Sequence, residues 1–180
     1  MHYVALLRGI NLGRRRVKMD ALRAHFEALK FRRVSTFIAS GNVLFETSAR
    51  DPAKLETQIE RHLAQTLGYS VDTFLRSADE MSAVATAQPF PPAEMESESN
   101  AINVVFLKDT PNPADARRLE AIRTDYDAFR VIGRECYWLT RGRMSASTVW
   151  QTPEMKQVHL PNSTMRNLTS CQKLAVLLAE

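Results

Sequence analysis

Residues 3–30, YVALLRGINLGRRRVKMDALRAHFEALK, contain a strand, a loop and a helix that set the pattern for the first half of the chain. Tyr3 to Leu7 form a short apolar run, which is typical of a strand buried on both faces. Apolar residues at helical spacing then predict an amphipathic helix at about 19–30. The loop between them carries glycines and cations.

The segment that follows predicts a hairpin, a second helix and a fourth strand. Strand-like runs at 34–38 and 43–47 flank the turn-forming residues 40–42, and Asp51-Pro52 begins a helix that Gly68 ends. The fourth strand is expected at 71–75. This β-α-β-β-α-β order predicts an α+β fold of the ferredoxin-like type, in which two helices cover one face of an antiparallel sheet.

The second half begins with the same β-α-β-β order. We expect a ferredoxin-like subdomain with a trailing helix at 1–87, a linker rich in proline and glutamate at 88–100, and a second α+β subdomain at 101–180. Ser77 and Glu80 predict a capping box for the trailing helix. Residues 159–164 are interpreted as a loop. Thr169 and Gln172 predict a capping box for a C-terminal helix that packs back on the first subdomain.

Length and composition exclude several classes of protein. The chain has 180 residues, 44% hydrophobic and 24% charged, which fits a globular protein rather than a disordered or fibrous one. No apolar run reaches the roughly 18 residues of a membrane span, and the start lacks the features of a signal peptide, so a cytoplasmic protein without a membrane partner is expected. Cys136 and Cys171 are expected to be free thiols, and neither a metal nor a cofactor is predicted.

Positive charge is concentrated at the two ends of the chain. Residues 1–33 hold nine basic residues against two acidic ones, and residues 141–180 hold five against two, whereas the middle of the chain has a net charge of −6. Basic clusters attract phosphates, so nucleic acid and phosphorylated small molecules are the expected partners. A solvated charged surface is the alternative.

The strongest candidate for a site is the basic loop, residues 8–18, with Arg8, Asn11, Arg14 and Lys18 as expected ligand-binding residues. A glycine-bearing loop that leads into a helix lets an anion approach free backbone N–H groups. The sequence is neither a Walker A motif nor a dinucleotide fingerprint. A connecting loop with solvated arginines remains the alternative.

Two further segments carry polar groups that could join this site. Ser40 and Asn42 lie in the hairpin turn, where turn formation alone also accounts for them. Thr164, Arg166 and Asn167, with Lys173 nearby, precede the last helix and could grip an anion, although helix capping explains them as well.

These blocks together resemble a bacterial family called domain of unknown function 1697. The resemblance rests on YVALLRGINLG at 3–13, VKMDALR at 17–23, FIASGNVLF at 37–45 and TMRN at 164–167, and the chain differs from the family pattern at Arg14–Arg16 and at Leu168. It implies an α+β fold with ferredoxin-like elements and brings no activity with it.

The leading hypothesis is an anion-binding module in which the basic loop, the 40–42 turn and residues 164–167 form one site. The second is an enzyme acting on a phosphorylated metabolite, with Arg8, Arg166 and Lys173 as charge stabilisers. The third is a structural or protein-interaction domain whose acidic segment, Glu94 to Glu98, contacts a partner.

Overall fold

A computed structural model describes residues 1–11, 13, 15–38 and 41–180. It confirms the predicted α+β class, with helices packed on antiparallel sheets. The chain divides into two compact units, one of Met1–Ala83 with Lys173–Glu180 and the other of Val84–Gln172.

The first unit is built on a four-stranded antiparallel sheet of order β2-β3-β1-β4, so that β3 lies between β1 and β2. Its elements in chain order are β1 (His2–Leu7), α1 (Met19–Ala28), β2 (Arg32–Phe37), β3 (Asn42–Glu46), α2 (Pro52–Leu67), β4 (Thr73–Ser77) and α3 (Ala78–Thr86), the last of which ends in the second unit.

Local sequence fixes the helix ends in this unit. The Asp51 side chain accepts a hydrogen bond from the Lys54 backbone N–H at 3.1 Å, and Gly68 ends α2 in the left-handed conformation, φ +76°. Ser77 and Glu80 form the predicted capping box of α3, with bonds of 2.8 and 3.2 Å. The helices α1 and α2 contribute the apolar side chains that bury one face of the sheet, among them Phe26, Leu55 and Ile59.

The second unit has a sheet of the same order, β6-β7-β5-β8. Its elements are α4 (Pro92–Met95), β5 (Ala101–Leu107), α5 (Pro113–Ala121), β6 (Asp127–Ile132), β7 (Glu135–Thr140), α6 (Pro153–Lys156), β8 (Ser163–Asn167) and α7 (Leu168–Ala179), which ends in the first unit. Short 3-10 turns lie at Met144–Ala146 and Val149–Gln151. Within the described part of the chain, no helix has both the length and the apolarity to cross a membrane.

Two predictions for the C-terminal region were wrong. The loop predicted at 159–164 ends before Ser163, because Ser163–Asn167 form strand β8, which pairs with β5. The cap of α7 is Asn167, whose Oδ1 accepts the Ser170 N–H at 2.7 Å, and not the predicted Thr169 and Gln172 box.

The segment rich in proline and glutamate at 88–100 lies within the second unit. Arg141 donates to the Glu94 carboxylate from both Nε and Nη2, and Asn100 donates to it at 2.9 Å. The hydrogen bond from Arg141 is the main cause that lowers the pKa of Glu94. The Glu94 carboxylate therefore already has hydrogen-bond partners within the chain.

The core of the second unit contains a buried carboxylate. Asp127 is 3% exposed and accepts hydrogen bonds from the Trp138 indole N–H at 2.8 Å and the Ser147 hydroxyl at 2.7 Å. Trp138 is also buried and stacks on Phe129. Trp138 thus has a packing role in the core. The bond from Ser147 to Asp127 holds the segment after β7 against the sheet.

Gly41 provides a test of close packing in the first unit. A Cβ at this position would lie 2.6 Å from Cγ2 of Ile10 and 3.2 Å from Cβ of Leu7, and φ is +76°. We expect Gly41→Ala to lower the free energy of unfolding by about 2 to 4 kcal/mol, from backbone strain and from the clash. Gly68→Ala is the matched control, because Gly68 has the same φ with no atom within 4 Å of an added Cβ. Urea unfolding that gives equal losses for both variants would contradict the close contact.

A pair of histidines predicts how stability depends on pH. The rings of His25 on α1 and His62 on α2 meet edge to face with centroids 5.7 Å apart. Burial, and then the neighbouring His62, lower the pKa of His25 below 6.5. His25 thus binds a proton less readily in the folded state than in the unfolded state. Its contribution to the free energy of unfolding is therefore fully present above about pH 6.5 and is lost as the pH falls.

We expect His25→Gln to flatten this decline in the free energy of unfolding when urea titrations at pH 7.5 and 5.5 are compared. His159→Gln, at an exposed histidine, should leave the decline unchanged. An identical decline in wild type and His25→Gln would show that the pair does not couple to stability.

Candidate functional site

The basic loop is anchored at both of its ends. Ile10 is 2% exposed and belongs to the core of the first unit, and Val17 packs against the same core. The Asn11 side chain bridges the loop, since its Oδ1 accepts the Val17 N–H at 2.7 Å and its amide donates to the Val17 carbonyl at 3.4 Å. These two bonds hold residues 11 and 17 together, and Arg15 and Arg16, which lie between them, are exposed.

The hairpin turn packs against the start of this loop. The Leu7 N–H donates to the Gly41 carbonyl at 2.8 Å, and the bare Cα of Gly41 faces Ile10. Asn42 is fully buried and its amide donates to the Phe37 carbonyl at 3.1 Å. Ile38, at the same turn, is 51% exposed and has a φ of +51°, which is unusual for a β-branched residue.

Tyr69 supports the loop from the end of α2. Its hydroxyl donates to the Ile10 carbonyl at 3.3 Å, and its ring packs against the core of the first unit. The guanidinium carbon of Arg15 lies over this ring, 4.3 Å from the centroid. Arg15 is exposed, so its guanidinium is held between an aromatic ring and solvent.

The loop has a strongly positive local charge. Residues 8–18 contain five basic residues and no acidic one, and Arg8, Arg15, Arg16 and Lys18 are exposed. Asp72 comes within 3.9 Å of the Arg8 guanidinium, but both side chains are about half exposed, so this ion pair is weak. The Arg16 guanidinium donates to the carbonyls of Asn11 and Arg15 at 3.3 and 2.8 Å.

The loop leads directly into the N-terminus of α1. Lys18 is the residue before the helix, and its side chain has no acceptor with which to cap the N–H groups of the first turn. These N–H groups and the helix dipole favour a negative charge at this end. Asp20 in the first turn meets part of that preference and pairs with Arg23.

The sequence-predicted residues of the first unit therefore divide by role. Arg8 and Lys18 present exposed cations, whereas Asn11 and Asn42 are engaged in hydrogen bonds that shape the loop and the turn. Lys173 is exposed on α7. Arg14 and Ser40 lie outside the described residues.

The remaining predicted residues lie on β8 in the second unit. Arg166 is 9% exposed, and its Nη1 donates to the Thr164 hydroxyl at 3.0 Å and to the Met165 carbonyl at 2.7 Å. Burial lowers the pKa of Arg166 to about 10. Asn167 caps α7. Each of these side chains thus has a structural partner within its own unit.

A second buried arginine, Arg76, was not predicted from the sequence. Arg76 on β4 is fully buried and donates to the Leu75 carbonyl at 2.8 Å, just as Arg166 on β8 donates to the carbonyl of the preceding residue. Arg76 pairs with Val4 on β1 and Arg166 pairs with Val104 on β5. The two sheets therefore repeat one buried arginine at the same register position.

The buried thiols are not reactive groups. Cys136 and Cys171 are free, and burial raises the pKa of each to about 12. At neutral pH both are protonated, and the thiolate is the nucleophilic form of cysteine.

Comparison with known proteins gives the chain a family and a structural relative. The family described as "Protein of unknown function (DUF1697)" matches residues 1–137, and no curated protein matches the chain. The structure is similar to that of the conserved bacterial protein SP0830 from Streptococcus pneumoniae, with a TM-score of 0.74 and 20% identity, over 99% of this chain and 98% of that one. At this identity the likeness shows the fold alone. Because the family match covers well over half of the sequence, the chain belongs to the DUF1697 family.

Proposed function

We propose that this protein is a binding module for a phosphate-bearing ligand and that the basic loop is its binding site. The observation that carries the proposal is the grouping of exposed cations on a braced loop, that is, a loop held by the Asn11 and Tyr69 hydrogen bonds and by the packing of Gly41 on Ile10. Bracing reduces the conformational entropy lost on binding, because the cations start from a fixed backbone. Arg14 and Ser40 remain predicted members of this site.

Repulsion among the cations also supports the proposal. The basic residues of the loop are close in sequence and share one loop, so each raises the electrostatic cost of the others. A bound phosphate relieves this cost and adds charge-assisted hydrogen bonds. Binding should therefore be strongest at low salt, where the charges are least screened.

The proposal rests on the first unit rather than on β8. Thr164, Arg166 and Asn167 use their side chains in hydrogen bonds within the second unit, and Arg166 is buried. The exposed cations of the basic loop have no comparable burial. The loop is thus the more accessible of the two predicted anion-binding segments.

A charge-matched pair of double variants tests the proposal. We expect Arg15→Ala/Lys18→Ala to weaken binding of a labelled single-stranded oligonucleotide of about ten nucleotides and to make log K fall less steeply with log salt. The slope should drop by about 1.4, since each phosphate contact on a single strand contributes about 0.7. Fluorescence anisotropy over a range of salt concentrations measures both quantities.

The control is Arg50→Ala/Lys54→Ala, which removes the same charge from exposed positions. These residues follow β3, and the pairing of Glu46 with His2 places that end of β3 at the opposite end of β1 from the loop. The control should bind almost as wild type. Absence of oligonucleotide binding at low salt, or an equal loss in both double variants, would reject the basic loop as a phosphate site.

Inorganic pyrophosphate separates the two kinds of phosphate ligand. If it displaces the oligonucleotide at a low concentration, a small phosphorylated molecule is the favoured ligand. If displacement needs a concentration that acts only through ionic strength, the favoured ligand is a polymer that makes several contacts.

A further inference from the structure

We infer that the basic loop recognises single-stranded nucleic acid and that Arg15, held over the ring of Tyr69, is a platform on which one unpaired base stacks. This inference rests on the function proposed above and names its ligand. The geometry that points to it is the layered arrangement of core, Tyr69 ring and exposed Arg15 guanidinium, with 4.3 Å between the guanidinium carbon and the ring centroid.

Tyr69 is fixed from two directions. Gly68 adopts φ +76° and turns the chain at the end of α2, and the next residue, Tyr69, packs its ring against the core of the first unit. The Tyr69 hydroxyl donates to the Ile10 carbonyl at 3.3 Å. The ring is therefore a fixed support that follows the end of α2 and contacts the basic loop.

Arg15, supported by the Tyr69 ring, can stack with a base, which a lysine at this position could not do. A guanidinium is planar, stacks on aromatic rings and retains its charge at every physiological pH. One side of the Arg15 group faces the Tyr69 ring, and the residue is exposed to solvent. Unpaired bases stack on aromatic rings and on guanidinium planes in single-strand recognition.

The rest of the loop supplies the phosphate contacts that such a ligand needs. Arg8, Arg16 and Lys18 lie on either side of Arg15 in the chain, and all are exposed. A base that stacks on Arg15 thus has cations available for the phosphates at its 5′ and 3′ sides. A duplex offers its phosphates but keeps its base faces covered, so it can contact the cations but cannot stack a base on Arg15.

Paired probes test the platform. The first is a labelled single-stranded oligonucleotide, and the second is an abasic strand of the same length that retains every phosphate. Wild type should bind the base-containing strand at least about fivefold more tightly than the abasic strand, as expected for one stacked base. In Arg15→Lys, which keeps the charge but loses the plane, this ratio should fall to about one while affinity for the abasic strand is retained.

Two variants at Tyr69 separate the ring from its hydroxyl. Tyr69→Phe keeps the ring and should keep the ratio, whereas Tyr69→Leu removes the support and should lower it. Melting temperatures identify any general loss of stability, and Arg15→Lys, at an exposed position, provides the result if Tyr69→Leu fails to fold.

Equal affinity of wild type for the two probes, or an unchanged ratio in Arg15→Lys, would overturn the stacking platform. Binding of both strands with equal affinity leaves the phosphate site standing and rejects only this inference. Binding of neither strand at low salt rejects both.

Discussion

The contact between Gly41 and the end of β1 is the constraint on which the arrangement of the first unit's loops depends. The Gly41 carbonyl accepts the Leu7 N–H at 2.8 Å, and the space beside its Cα is filled by Ile10, so that an added Cβ would lie 2.6 Å from that side chain. Any residue with a side chain would push the hairpin turn away from the basic loop. Ile10 would then lose part of its packing, and its carbonyl would shift from the Tyr69 hydroxyl.

The placement of charge follows from the cost of burying it. Moving an ion out of water is expensive unless hydrogen bonds compensate, and the two buried arginines of the sheets, Arg76 and Arg166, donate to backbone carbonyls of their own strands. The cations of the basic loop remain exposed, where water and salt screen them. Cations that remain hydrated on a fixed backbone can bind a phosphate without first being ordered.

The sequence predicted the features that depend on local chemistry. The caps at Asp51 and at Ser77 with Glu80 are confirmed, because each is formed within one turn of a helix. Strand β8 was missed because Ser163–Asn167 contains one apolar residue and owes its conformation to pairing with β5. The support of Arg15 by Tyr69 was also missed, since no spacing in the sequence signals a tertiary contact between the basic loop and the residue after α2.

The most direct test of the central claim, that a braced loop rather than net charge forms the site, is the affinity of Asn11→Ala for the single-stranded oligonucleotide. This change removes the two bonds between Asn11 and Val17 without altering a charge. Hydrogen exchange at the Val17 N–H shows whether the loop has opened. We expect faster exchange and an affinity about two- to tenfold weaker, from the added cost of ordering the loop. Faster exchange with unchanged affinity would show that the fixed loop backbone does not contribute to binding.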